Sequence, residues 1–173
     1  MRLIEGSLAL KDAYRDYITE WVESGEKIVP MAASGTDLTY DALLERWAFF
    51  KSDRAYEKGF VPSTTYFFVD DDGIILGALD FRHTLNEHLK ISGGHFGYGV
   101  RPSARGKGLA YQMVLLALEY AREMGLDKVL ITCNDDNIGS YKTIERAGGL
   151  LENKTVHDGF LTRRYWITLK DIN

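Results

Sequence analysis

The stretch from Gly94 to Thr132 limits what this chain can fold into more than any other part of it. An apolar run over Gly94–Val100 (GHFGYGV) leads into a basic, glycine-rich turn. A helical repeat follows over Leu109–Met124, where Met113, Leu116, Ala117 and Tyr120 make one apolar stripe, broadened by Leu115 and Leu118. Gly125 supplies a C-terminal stop, and Lys128–Thr132 is a short apolar strand. The order is strand, turn, helix, strand. Three glycines weaken the first strand. Glycine in a strand marks a bulge or a close approach of backbone to a ligand.

The flanking segments extend this pattern. Met1–Glu5 reads as a first strand, and Ser7 as the N-cap of a helix running to about Glu23. Its apolar positions are Leu10, Tyr14, Tyr17, Ile18, Trp21 and Val22. Ser24-Gly25 ends it, and residues 25–35 form a loop. Asp37 or Thr39 caps a second helix with Leu43, Leu44, Trp47 and Phe50 on its apolar side. TTYFFV and IILGALDF flank Asp70-Asp71-Asp72-Gly73, a strong hairpin signal. His83–Lys90 reads as a loop with a helical turn. Asn137–Ala147 is a short helix stopped by Gly148-Gly149. Leu150–Val156 and Leu161–Leu169 form a hairpin around His157-Asp158-Gly159. The expected fold is a mixed α/β layer in a single domain over 1–173. Its antiparallel sections, 64–81 and 150–169, disfavour a purely parallel doubly wound sheet.

Composition narrows the function. A chain of 173 residues with 45% hydrophobic and 27% charged residues suits one ordinary globular domain. The formal net charge is -4, a poor match for non-specific nucleic-acid binding, which wants an overall basic face. Cys133 is the one cysteine, so no internal disulfide can form, in keeping with a reducing compartment. The N-terminal segment turns charged too early for a secretory signal, and no window approaches a membrane span. The expected location is the cytoplasm, with neither membrane nor nucleic acid as partner.

The turn itself carries chemistry. In VRPSARGKGLAYQM, Pro102 pins the chain and Arg105-Gly106-Lys107-Gly108 crosses into the long helix. Glycines let the backbone approach a ligand. The first amides of the helix lack internal acceptors and sit at its positive end, so they suit a phosphate. Arg101, Arg105 and Lys107 add charge. A P-loop would need GxxxxGK followed by Ser or Thr, which does not occur. A dinucleotide fingerprint would need GxGxxG, of which RGKGLA holds only the first half.

Val100–Ala110 resembles the acyl-CoA signature of the GNAT superfamily of N-acetyltransferases, Gln/Arg-x-x-Gly-x-Gly/Ala. Here it falls on Ser103-Ala104-Arg105-Gly106-Lys107-Gly108, with Ser103 departing from the pattern. The segment NDDNIGSYKTIERAGG resembles the superfamily's later motif. Asn137 and Ser140 occupy its Asn-x-x-Ala/Ser positions, Gly148 matches its glycine, and Gly149 replaces a phenylalanine. The resemblance is nearest to a bacterial branch of predicted acetyltransferases. It is strongest over 95–149 and plausible for the whole chain. It implies a GNAT-like mixed, mostly antiparallel sheet flanked by helices. It also implies acetyl-CoA as acyl-donor cosubstrate, held by Tyr98, Val100, Arg101, Ala104, Arg105, Gly106, Lys107, Gly108, Leu109, Ala110, Asn137, Ser140 and Tyr141.

Acetyl transfer by direct attack within a ternary complex needs a base to take a proton from an ammonium. It also needs an N–H donor for the charge that develops on the carbonyl oxygen. The resemblance maps that donor to Tyr98–Val100, with Val100 preferred. The candidate bases are His95, Asp80 and Glu87, in that order. Relatives place a tyrosine acid at the position of Ile144, which cannot donate a proton. Tyr141, three residues earlier, is the candidate replacement, against a packing role for the same ring. No HExxH or CxxC occurs, so no metal is expected. Cys133 reads as structural. The loop Val29–Leu38 is the expected acceptor gate, and the acceptor is a small-molecule or peptide amine. Monomer and homodimer both remain open. A catalytically weak acyl-CoA-binding sensor or regulatory module is the alternative. A nucleic-acid-binding or structural protein is a third reading, but only one short basic cluster supports it.

Overall fold

Alternating side chains build a four-stranded sheet with an apolar face on either side. In the computed structural model, which describes residues 1–169, its strands are β1 (Arg2–Glu5), β2 (Ser63–Val69), β3 (Ile75–Arg82) and β4 (Phe96–Val100). They lie in the order β1-β2-β3-β4, each antiparallel to its neighbour. The last four residues of the expected 1–173 unit lie outside the described residues. A second sheet, β5 (Lys128–Asn134), β6 (Leu150–His157) and β7 (Phe160–Thr168), has the order β5-β7-β6 and is also antiparallel.

Helices cover both faces of the first sheet. α1 (Lys11–Ser24) and α2 (Tyr40–Lys51) bury Tyr14, Tyr17, Trp21, Leu43 and Trp47 against Phe67, Val69, Ile75 and Ala78. α3 (Glu87–Ile91) follows β3, and α4 (Leu109–Glu123) covers the other face. α4 sets Met113, Val114, Ala117, Leu118 and Ala121 against Phe68, Leu79, Phe81 and Phe96. α5 (Ile138–Arg146) joins that second core through the fully buried Ile144. The mostly antiparallel, helix-flanked architecture expected from the resemblance is borne out.

Local signals explain the ends. Thr39 Oγ1 accepts from the Ala42 amide at 3.2 Å and caps α2. Ser7 makes no side-chain cap; Leu8–Leu10 forms a 3-10 turn before α1 begins. Asn137 Oδ1 accepts from the Ser140 amide at 3.1 Å and caps α5.

The two sheets are stitched together at one level and then part. The His95 amide donates to Leu130 O at 2.7 Å, and the Leu130 amide donates to His95 Nδ1 at 2.9 Å. Beyond this stitch no ladder joins β4 to β5 among the described residues. The divide so formed is framed by β4, β5 and the start of α5.

Candidate active site

The glycine turn opens the divide. Gly106 and Gly108 have φ of 76° and 74°, left-handed backbone that glycine adopts freely. A Cβ added to either would meet nothing within 4 Å. Both are therefore shaped for the turn and face open space. Gln112 is the first residue of α4 whose amide bonds back, to Gly108 O at 3.3 Å. The amides of Leu109, Ala110 and Tyr111 begin the helix with no intrahelical acceptor. Ala104 and Leu109 turn their side chains into the core. The residues present thus fit a pyrophosphate: free amides, a helix N-terminus and the exposed Arg105 and Lys107. Arg105 Nη1 binds Glu26 at 2.9 Å, and its guanidinium lies 5.1 Å from the Trp21 ring centroid. Lys107 Nζ donates to Ser103 O at 3.3 Å.

Arg101 needs correction as a cofactor cation. It is 7% exposed and faces α1. It donates to Asp16 Oδ2 at 2.8 Å, to Ile75 O at 3.2 Å and to the Glu20 carboxylate. Those partners occupy a charge that burial would otherwise leave stranded. Glu20 also accepts from the Ser103 amide at 2.7 Å and from Ser103 Oγ at 2.9 Å. Ser103, where the resemblance expects Gln or Arg, therefore ties the turn to α1. Burial pushes the Glu20 carboxyl up, but Ser103 and Arg101 together hold it below the usual range. Its stabilising contribution is present above the unfolded carboxylate pKa and is lost as pH falls through the lower folded value. Glu20→Ala should destabilise the fold by about 3–5 kcal/mol, because Arg101 stays buried with one of its two carboxylate partners gone. Chemical denaturation measures this; a change under about 1 kcal/mol contradicts the clamp.

The ladder decides where the β4 amides point. The Arg101 amide donates to Leu76 O and the Arg82 amide to His95 O, both across the β3–β4 pair. Bonded positions alternate in an antiparallel ladder. Gly97 and Gly99 thus bond to β3, whereas the Tyr98 and Val100 amides point away from it, into the divide. Side chains alternate too. Phe96, Tyr98 and Val100 pack toward α4, and the opposite face of β4 is glycine alone.

Tyr98 spans the divide. Its hydroxyl lies 3.0 Å from Ser140 Oγ, and burial pushes its pKa up to about 12. Cys133 completes the group; burial raises its thiol, and a hydrogen bond with Ser140 partly offsets that. Tyr141, next to Ser140, is drawn elsewhere: the Arg163 guanidinium sits 3.9 Å from its ring centroid. This placement favours packing over a role as acid.

The three candidate bases are not brought together. His95 is 5% exposed, and burial lowers its pKa to about 4 despite the bond from Leu130. Its Nδ1 accepts from a backbone amide, so the ring is a neutral structural link between the sheets rather than a base. Glu87 is exposed in the first turn of α3 and pairs with Lys90 at 2.6 Å. Asp80 is different. It is 5% exposed, opposite Gly97 on the glycine face of β4. Arg82 Nη2 lies 3.2 Å from its Oδ2, while Oδ1 has no hydrogen-bond partner. Burial raises its pKa, with Arg82 and then Ser63 acting against the rise.

Some contributors were not anticipated. Arg82 tethers the start of β4 through Gly93 O at 3.0 Å and Gly94 O at 3.2 Å. Asp16 and Glu20 stand four residues apart on α1, a spacing that signals a shared polar face. Gly149 accommodates Ile144: a Cβ there would come within 2.6 Å of Ile144 Cγ2 and 2.8 Å of its carbonyl oxygen. Among the described residues no cluster could hold a metal ion, and no helix is long and apolar enough to cross a membrane.

Comparison with known proteins places this architecture in a class. Residues 9–149 match the acetyltransferase (GNAT) domain family, and the chain belongs to it. A Bacillus subtilis protein described as an uncharacterized N-acetyltransferase, YnaD, is 29% identical over 79 residues, 45% of this chain and 44% of that protein. Mycothiol acetyltransferase of Mycobacteroides abscessus is 35% identical over 68 residues, 38% of this chain and 23% of that protein. The chain thus matches less than half the length of either. A spermidine N-acetyltransferase SpeG chimera from Vibrio cholerae and hSSAT superposes with a TM-score of 0.67 at 17% identity, covering 98% of both chains. That likeness is one of fold.

Proposed function

We propose that this chain transfers the acetyl group of acetyl-CoA to a primary amine by direct attack. One observation carries the reading. The free amides opening α4 and the outward amides of Tyr98 and Val100 form a path from the glycine turn into the divide. The turn holds the pyrophosphate, with Arg105 and Lys107 beside it. Asn137, Ser140 and the β4 edge line the way for the arm that bears the thioester. The Val100 amide is the donor for the carbonyl oxygen as it gains charge.

Asp80 is the base in this reading. Its unpartnered Oδ1 can receive a proton, and its raised pKa brings its proton affinity nearer the working pH. Gly97, opposite it, stands one to three residues from Tyr98 and Val100, roughly 3–10 Å along the strand. The proton therefore travels through water rather than by direct contact with the attacking nitrogen.

The test is saturable acetyl-CoA binding together with thiol release in the presence of a panel of amines. Binding without release from any amine would leave the sensor reading standing in place of the enzyme. Absence of binding would remove both.

The glycine face of β4 is the proposed acceptor floor. The Val29 carbonyl lies directly over Gly99, and Pro30 Cβ is 3.6 Å from where a Gly97 Cβ would stand. The loop Val29–Leu38 thus begins on this floor. Gly99→Ala would drive a Cβ into the Val29 carbonyl and displace the loop. The acceptor KM should rise about tenfold or more, with the Kd for acetyl-CoA within about twofold of wild type. Steady-state kinetics and calorimetry separate the two; an unchanged acceptor KM would put the floor elsewhere.

A further inference from the structure

β3 ends on alternating residues that share a face. Ala78, Asp80 and Arg82 stand on the side that Gly97 and Gly99 leave bare on β4. A Cβ on Gly97 would come 3.2 Å from Arg82 Nη2, so the guanidinium lies along the glycine floor. Nη1 is fixed by Gly93 O and Gly94 O, and Nη2 stands 3.2 Å from Asp80 Oδ2. A guanidinium carries five N–H groups. These contacts use at most three of them, and Nε has no partner among the described residues. The Arg82 side chain is 22% exposed, against 7% for that of Asp80. A firmly held arginine thus offers a spare edge of N–H donors on the floor, beside a carboxylate whose Oδ1 is unpartnered. On the α1 side, Asp16 and Glu20 are held by Arg101, and Glu26 by Arg105.

Resting on the acyl-transfer reading above, we infer that the acceptor is an amino acid-like amine whose carboxylate docks on the free edge of Arg82. The floor presents a positive and a negative group side by side, and a zwitterion presents the reverse. A carboxylate accepts parallel N–H bonds from a guanidinium edge, a geometry that a lysine does not supply. Because Arg82 is already pinned by two carbonyls and Asp80, little side-chain freedom is lost when the acceptor binds. A linear polyamine would meet the Arg82 charge with no carboxylate of its own. A peptide N-terminus carries a neutral carbonyl where the guanidinium favours an anion. The pair therefore selects against both. Arg82 takes no part in the bond changes. The ammonium loses one proton through water to Asp80, and the nitrogen then bonds the carbonyl carbon. The carbon–sulfur bond breaks with its electron pair on sulfur, and the second nitrogen proton ends on sulfur as the thiol.

The test compares acceptors that differ in one group. Thiol release from acetyl-CoA is measured with the common amino acids, each beside its own amide, and with spermidine as a polyamine. For the best amino acid, kcat/KM should exceed that of its amide about 10- to 100-fold, the range set by hydrogen bonds to a charged group. In Arg82→Gln this ratio should fall to within about threefold, with the Kd for coenzyme A within about twofold of wild type. The ratio is read within one protein, so a general loss of activity or stability in the variant does not move it. Arg82→Lys, which keeps the charge but not the planar edge, should retain only part of the preference. Amides or spermidine acetylated as well as the amino acids by wild type would overturn the inference and leave the acyl-transfer reading intact. So would an acid-to-amide ratio that survives in Arg82→Gln, which would confine Arg82 to tethering β4. If no amine of any class releases thiol, the acyl-transfer reading falls and this inference falls with it.

Discussion

Asp80→Asn should lower kcat/KM about 10²- to 10⁴-fold, the range that a positioned acid or base supplies, while the protein stays folded. The substitution keeps the shape and an oxygen for Arg82 but removes the site that takes the proton. Stability should move the other way. Burial raises the Asp80 pKa above the unfolded value of 3.8, so the fold disfavours its ionised form. Between the unfolded and folded pKa values the native state binds more protons, and stability declines as pH rises through that window. Above it, wild type holds a buried carboxylate at a cost that the asparagine variant avoids. Thermal melts at neutral pH should thus place the variant level with wild type or higher, and the difference should shrink as pH falls toward the ordinary carboxylate range. Two results together would sink the assignment: a lower Tm with unchanged kcat/KM. That pattern would make Asp80 a structural partner of Arg82.

What the sequence reveals here is what neighbours in the chain decide among themselves. The glycine turn is legible because Arg105-Gly106-Lys107-Gly108 and the helix they open are contiguous. The hairpin at Asp70–Gly73 and the stripe on α4 are legible for the same reason. Arg101 is not, because its fate depends on Asp16 and Glu20, more than eighty residues away in sequence. Adjacent to a phosphate turn, any arginine reads as a phosphate ligand; only packing shows that α1 claims it. His95 fails for a related reason. Its partner is the Leu130 amide, and a backbone group leaves no trace in the sequence. Asp80 could be placed on a face by alternation, yet the burial that raises its pKa comes from the elements folded over it. Gly149 and Ile144 show the same dependence at short range. Each departs from the family's pattern, and the two departures fit one another because the small residue leaves space for the branched one.

Gly108→Val should raise the Kd for acetyl-CoA about 10- to 100-fold, equivalent to roughly 1.4–2.7 kcal/mol of binding. Gly108 caps α4 with φ 74° and ψ 10°. A β-branched residue resists that left-handed conformation by about 1–2 kcal/mol, so the variant should also melt about 2–8 °C lower. The strain can relax only by rotating the turn, which re-aims the amides that open α4, and the new side chain would stand in the open space where the phosphates approach. Stability loss alone would not demonstrate this. Gly125→Val is the matched control: it lies just beyond the other end of α4, has φ 81° and likewise has open space around an added Cβ. Both variants should lose a similar amount of thermal stability, but only Gly108→Val should lose affinity. A folded Gly108→Val protein that binds acetyl-CoA as wild type does would place the pyrophosphate away from this turn. Equal losses of affinity in the two variants would trace the effect to α4 stability and not to the amides at its start.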